Sequence, residues 1–222
     1  MTPGTLAELL ASKTKTGKLW SKLADGRIQC FACGHRCPIP EGKTGICKVR
    51  FNEGGKLKVP SGYVAGIQDD PIEKKPFSHA IPGARALSFG MLGCDYHCDY
   101  CQNWITSQAL RDPAAVSAPV IISAKELVKM AIERRCQVVV STYNEPLITT
   151  EWAVEIFKEA KKKKLITAFV SNGNATPEAL DYLEPWIDLY KVDLKGFDDK
   201  HYRELGGELE NVKRTIKDLY AR

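Results

Sequence analysis

Three cysteines within one short stretch constrain this chain more than anything else in it: Cys94-Asp95-Tyr96-His97-Cys98-Asp99-Tyr100-Cys101. The spacing is CxxxCxxC. It follows directly on the apolar run Ala86-Leu87-Ser88-Phe89-Gly90-Met91-Leu92, which reads as a β-strand. Three thiolates in so tight a loop can hold three corners of a [4Fe–4S] cluster, which ordinarily takes four cysteine ligands. The missing fourth leaves one iron open, and an open coordination position is what a catalytic metal needs and a structural one does not. A zinc loop is the competing reading, but zinc prefers paired CxxC knuckles with a fourth ligand. His97 lies inside the loop, where so tight a turn makes it a loop residue before a ligand.

Charge and hydropathy exclude several classes. The 222 residues carry 32 Lys and Arg against 27 Asp and Glu, a net charge of +5. That falls short of the dense basic face expected of a nucleic-acid-binding protein. Lys161-Lys162-Lys163-Lys164 closes a helical pattern, where cations meet the negative end of the dipole. No run is long and apolar enough to span a membrane, and Met1 to Lys18 lacks the apolar core and cleavage site of a secretory signal. Eight cysteines without such a signal read as metal ligands or catalytic thiols in a reducing cytoplasm, not as a disulfide framework.

Two textures divide the chain at about residue 84. In 1–84, Thr5-x-x-Glu8 has the form of a capping box for a helix over Leu6 to Leu10. The segment from Cys30 to Cys47 is rich in Gly and Pro and reads as loops held by something other than an apolar core. Asn52 to Ala84 is a Gly, Pro and charge-rich connection. In 85–222, short apolar runs alternate with helical patterns. Strands are expected at Ala86–Leu92, Gln137–Ser141, Ile166–Ser171 and Asp188–Leu194. Helices are expected from Ser123-x-x-Glu126 to Arg135, over Glu151–Lys163, from Thr176-Pro177, and over Val212–Tyr220. Strands separated by helices make parallel βαβ units with right-handed crossovers. The expected fold class is therefore α/β, with four βα units. Four are too few to close a barrel, and an open four-stranded sheet and a fragment continuing beyond Arg222 both fit.

The cluster loop, with the aromatic Tyr100 ahead of its last cysteine, resembles that of the radical S-adenosylmethionine (SAM) superfamily. In those enzymes SAM chelates the open iron and is cleaved reductively to methionine and a 5′-deoxyadenosyl radical. Chemistry in β/α barrels gathers at the C-terminal ends of the strands, so the residues there are the candidates for SAM contact. Thr142-Tyr143-Asn144-Glu145-Pro146 stands where the superfamily often has a Gly-Gly-Glu-Pro-like element binding the SAM ammonium. Tyr143 and Asn144 replace the glycines, and Glu145-Pro146 keeps register. Ser171-Asn172-Gly173 puts two short polar side chains on a turn, where SAM contact and an ordinary turn are both open. Asp193-Leu194-Lys195 places its charged residues on one side of a strand by the period of two, and the glycyl-radical-activase branch carries a similar Asp-Leu-Lys.

Cys30, Cys33, Cys37 and Cys47 form a second group. Cys33-Gly34 looks like a zinc-knuckle turn, while four cysteines can equally hold a second Fe–S cluster. His35 is by default a loop residue, and Cys136, alone, is a small core residue.

The whole pattern resembles one family. The Cys30–Cys47 segment, Gly62-Tyr63-Val64-Ala65, Pro71-Ile72-Glu73-Lys74-Lys75-Pro76, the cluster loop with Gln102-Asn103, and Tyr143-Asn144-Glu145-Pro146 look like the AmmeMemoRadiSam system radical SAM enzymes. These are relatives of the pyruvate formate-lyase-activating enzymes. The resemblance implies a partial (β/α) barrel, a [4Fe–4S] cluster, SAM, and an electron donor such as flavodoxin or ferredoxin. It also implies Memo-type and Amme-type protein partners, and leaves the substrate open. Such proteins continue for two more βα units, so the resemblance makes this chain a truncated barrel. A non-catalytic iron–sulfur or zinc-binding module for electron transfer or scaffolding is the alternative function.

Overall fold

The structure, a computed structural model, describes residues 6–112 and 117–222. Thr5, the expected cap of the first helix, lies outside them. After α1 (Leu6–Ser12) come β1 (Thr14–Thr16), β2 (Trp20–Lys22), β3 (Ile28–Cys30), β4 (Pro38–Ile39), β5 (Phe51–Glu53) and β6 (Lys56–Pro60). They pair as two antiparallel sheets in the orders β1-β6-β5 and β2-β3-β4. This corrects the expectation that the segment lacks an apolar core. Leu19, Ile28, Ala32, Ile39, Leu57 and Val59 are buried and cluster with Leu147, Ala179 and Leu180. Strands of two or three residues, as β4 and β3 are, are too short for alternation to show in a sequence.

The remaining elements build the main sheet and its helices. They are β7 (Tyr63–Val64), β8 (Gly66–Pro71), β9 (Arg85–Gly90), α2 (Trp104–Ser107), β10 (Val120–Ile121), α3 (Ala124–Glu133), β11 (Val138–Ser141), α4 (Thr150–Lys162), β12 (Ile166–Ser171), α5 (Pro177–Leu183), β13 (Leu189–Val192), α6 (Asp199–Glu204) and α7 (Leu209–Ala221). The sheet runs β13-β12-β11-β9-β8. Its first four strands are parallel, and β8 is antiparallel to β9. The expected four-stranded sheet therefore gains a fifth strand. Gly66-Ile67-Gln68-Asp69-Asp70-Pro71 hid it, because Gly, Asp and Pro are depleted from strands and tolerated mainly at sheet edges.

The other elements follow from local chemistry. Val138, Val139 and Val140 are fully buried, as a β-branched run at the centre of a parallel sheet should be. The Ser123 hydroxyl accepts from the Glu126 N–H at 3.2 Å, and the Ser123 N–H donates to the Glu126 carboxylate at 2.8 Å, closing the capping box that opens α3. Thr176 caps α5 by accepting from the Ala179 N–H at 3.1 Å, with Pro177 at the first helical position. Trp152, Ile156, Phe157 and Ala160 of α4 pack into the main core with Phe89 and Phe169. Cys136 is buried in the same cluster. One expected strand is shortened: β13 stops at Val192, so Asp193 and Lys195 lie past its end.

A buried ion pair fastens the N-terminal sheets to this core. Arg50 Nη1 and Nη2 donate to the two carboxylate oxygens of Glu151, on α4, at 2.7 and 2.8 Å, and both side chains are 1% exposed. The same carboxylate accepts the Lys18 N–H at 3.1 Å. Burial alone would raise the Glu151 carboxyl. The charge and hydrogen bonds of Arg50 outweigh that and bring it down to about 2.

Candidate active site at the cluster loop

The parallel strands end nearly level. Ser141 pairs with Phe89 and with Phe169, and Ser171 pairs with Val192. Just beyond these ends lie the cluster loop, Thr142–Pro146, Asn172–Asn174 and Asp193–Lys195. Cys94, Cys98, Cys101, Asn144, Glu145, Ser171, Asn172, Asp193 and Lys195 line a single cleft there. The sequence nominated all of them, and the C-terminal edge of the sheet brings them together. A larger groove of about 1230 Å³ between Trp152, Trp186 and the Ile121–Glu126 segment contains no thiol, so chemistry and not size marks the site.

Glu145 is the buried anchor of the cleft. Its Oε1 accepts from the Ser171 hydroxyl at 2.7 Å and the Leu147 N–H at 3.0 Å, and its Oε2 accepts from the Asn172 N–H at 2.7 Å. Asn144 works beside it as a brace. Its Oδ1 accepts the Met91 N–H at 2.9 Å, just where β9 becomes the cluster loop. Tyr143 carries a left-handed φ of 71°, the conformation a glycine would take without cost. Its hydroxyl accepts from Lys75 Nζ at 2.8 Å, which gives the Pro71–Pro76 motif a place at the cleft wall. Gly173 is obligatory in its turn, with φ at 76° and a side chain of Val192 2.6 Å from where a Cβ would stand.

A second buried carboxylate, not foreseen as a site residue, lies directly against the first cluster cysteine. Asp95 is fully buried. Its Oδ1 accepts from Asn172 Nδ2 and its Oδ2 from Asn174 Nδ2, both at 2.8 Å. Sequence position alone gave only its adjacency to Cys94. It is enclosed by the Asn172–Asn174 turn and by His35 of the N-terminal segment, which no local pattern encodes. Burial, then the charge of Asp95, pushes the Glu145 carboxyl up. Burial, then Asp95 and Glu145, pushes the Cys94 thiol up. Burial also raises Cys98, with Lys195 opposing. Thiolates and carboxylates crowded together in this way favour a cationic occupant, because metal binding needs the deprotonated thiol and supplies the compensating charge.

Of the other nominated residues, Tyr100 and the Cys30–Cys47 thiols lie outside the cleft lining, while Asp193 lines it. Tyr100 is 51% exposed at the mouth, stacked on His201 with ring centroids 6.1 Å apart. Asp193 pairs with both Lys191 and Lys195, the latter at 3.2 Å. Cys30, Cys33 and Cys47 are buried and Cys37 is half-buried. Burial raises Cys33 first, then the neighbouring charges of Asp95, Cys30 and Cys47, and burial raises Cys47 to about 12. Among the described residues no three His, Cys, Asp or Glu side chains converge as a ready single-ion site.

An α/β protein with three loop thiols at the C-terminal edge of a parallel sheet is, in class, one built to hold a cofactor at that edge. Residues 90–222 match the model of the radical SAM superfamily, and the chain belongs to that superfamily. It is 32% identical over 199 residues to a protein of Methanocaldococcus jannaschii described as uncharacterized protein MJ0808. That match covers 89% of this chain and 58% of the relative, so the chain spans little more than half of the relative's length. Among solved structures it is similar to QueE from Escherichia coli, with a TM-score of 0.42 and 12% identity over 72% of this chain and 77% of that one. Superfamily membership implies a [4Fe–4S] cluster and SAM. The donor set fits them: three thiols and the Glu145 carboxylate line the cleft, with no cationic side chain bonded to that carboxylate among the described residues.

Proposed function

We propose that this chain is the catalytic core of a radical SAM enzyme of the AmmeMemoRadiSam type, related to pyruvate formate-lyase-activating enzymes, with a core that forms part of a (β/α) barrel. The observation that carries this is the convergence of Cys94, Cys98 and Cys101 with Glu145 in one cleft at the ends of the parallel strands. Cys94, Cys98 and Cys101 would hold the cluster. When bound, cluster and SAM supply reductive cleavage of the sulfonium to methionine and a 5′-deoxyadenosyl radical.

The chain's own residues bind and orient. Glu145, locked by Ser171 and Asn172, offers its carboxylate to the SAM ammonium, a charge-assisted contact of the strong kind. Asn144 holds the β9 exit that aims the cluster loop. Lys195, in the field of Cys98, and Asp193 line the same cleft and would contact SAM or the substrate. An electron donor such as flavodoxin or ferredoxin would reduce the cluster. A protein, of Memo or Amme type or a glycyl-radical enzyme, or a small molecule would give up the hydrogen atom.

The Cys30–Cys47 group is read as a second metal centre, of zinc or iron–sulfur type, on the spacing of its four cysteines and on Cys30 lying within the electrostatic reach of Cys33, Cys37 and Cys47. Eight free cysteines support a reducing cytoplasmic setting. No helix among the described residues is long and apolar enough to cross a membrane. The test is anaerobic reconstitution of the full-length protein with iron and sulfide, reduction, and assay of 5′-deoxyadenosine from SAM. If a loaded, reduced protein forms none, the enzyme reading is wrong.

A further inference from the structure

Asp95 is where the two cysteine groups meet. Besides its bonds to Asn172 and Asn174, its Oδ2 faces His35 Nε2 at 3.9 Å, and that buried nitrogen has no hydrogen-bond partner among the described residues. His35 sits on the turn Cys33-Gly34-His35-Arg36-Cys37. That turn is keyed into the cluster-loop side of the molecule. The Gly34 N–H donates to the Asn174 carbonyl at 2.8 Å, and a Cβ on Gly34 would collide with Asn174 and Asn211. The His35 ring also meets Tyr96 edge-on, with centroids 6.4 Å apart. Cys33 in turn lies within the field of Asp95.

The buried Asp95 carboxylate accepts from the Asn172 and Asn174 amides at 2.8 Å, and Cys94 Sγ lies 3.8 Å from its Oδ1, so its Oδ2 side has room for one further donor. His35 Nε2 faces that oxygen at 3.9 Å, just beyond hydrogen-bond reach. We propose that His35 is a positioning residue that couples the Cys30–Cys47 centre to the SAM cluster. Anchoring Cys33 and Cys37 in a metal centre fixes the turn that presents Nε2 to Asp95, and Asp95 sets the position and field of Cys94. The state of the N-terminal centre is thereby felt at the site where SAM is cleaved. This rests on the radical SAM reading of Cys94, Cys98 and Cys101 and on the reading of Cys30–Cys47 as a metal centre. Ligand-supporting residues outside a metal's own ligand set act in this way, and their loss commonly lowers affinity or activity by about tenfold or more.

The test uses the full-length protein, reconstituted anaerobically, in wild-type form and as His35→Ala, His35→Gln and Cys33→Ser/Cys37→Ser. The readouts are iron content, the midpoint potential of the reduced cluster, and the change in its EPR spectrum when SAM is added. Glutamine can place an N–H where Nε2 stands, so His35→Gln should return the wild-type SAM-induced spectrum. His35→Ala should keep the iron of the cluster loop yet shift both the potential and the SAM-induced spectrum, and slow SAM cleavage by about tenfold. The double cysteine variant should give the same shift, with no further change when combined with His35→Ala. Superimposable wild-type and His35→Ala potentials and spectra would overturn the proposal, as would a shift in His35→Ala that His35→Gln fails to restore. A wild-type protein whose cluster does not respond to SAM at all would instead overturn the reading of the site itself, and this coupling with it.

Discussion

The Asn172 backbone N–H donates to Glu145 while its side-chain amide donates to Asp95, so one residue at the end of β12 holds both buried carboxylates of the site. The two carboxylates flank the first cluster cysteine, and each is positioned by a turn whose geometry depends on the other strands of the sheet.

Replacing Cys94, Cys98 or Cys101 singly by alanine should remove the cluster's iron and abolish formation of 5′-deoxyadenosine. The equivalent changes at Cys30 or Cys47 should leave the cluster-loop iron in place. Metal analysis of the purified, reconstituted variants reads this directly. Iron that stays at the wild-type level in the first set would remove these thiols from the cluster.

Glu145→Gln keeps the size of the side chain but turns an N–H toward at least one of the donors from Leu147, Ser171 and Asn172. It also removes the charge that would meet the SAM ammonium. SAM affinity should fall by about tenfold to a hundredfold, the worth of one hydrogen bond to a charged group. Equilibrium binding to the loaded protein measures it, and unchanged affinity would exclude Glu145 from the SAM contact.

Arg50→Met or Glu151→Gln alone leaves an uncompensated buried partner and should destabilise the protein by about 3–5 kcal/mol. The double replacement should cost less than the sum of the two. Urea denaturation compares them. The pH dependence has a defined sign. Glu151 has its carboxyl lowered to about 2 in the folded protein from a reference of 4.5. Its contribution is therefore complete above that reference, and is lost as pH falls from there toward 2. In Arg50→Met this component of the acid sensitivity should be smaller.

Gly90→Ala should destabilise by about 1–3 kcal/mol. The new methyl would stand 2.5 Å from the Thr142 carbonyl oxygen and 2.8 Å from Tyr143 Cβ. It would press apart the β9 exit and the Tyr143-Asn144-Glu145 element, so SAM binding should weaken along with the thermal midpoint. A variant with wild-type stability would show that the two segments are less tightly apposed than their geometry indicates.

Legibility varied with the kind of pattern involved. α3 and α5 announced themselves through Ser123, Glu126, Thr176 and Pro177, because caps act within one turn of chain. β11 announced itself through its valines. β8 and the short strands before it did not, since Asp69, Asp70 and Pro71 sit on an edge where ordinary strand preference does not apply. α6 was also missed. Its boundaries depend on Tyr202 filling the space against Tyr96, Leu205 and Leu209, a contact between distant parts of the chain.

The CxxxCxxC loop itself was legible in the sequence alone: three cysteines at that spacing after an apolar strand need no tertiary information to be noticed, because the motif is local. So was the parallel pairing of β9, β11, β12 and β13, since alternating strand and helix patterns leave few topologies. What only the tertiary structure decided is the company the loop keeps. Asp95 became a buried carboxylate, Tyr143 met Lys75, and His35 came to face Asp95 because strand ends and turns far apart in sequence close on one another. Burial and long-range electrostatics are properties of that closure and have no local signature for a sequence to display.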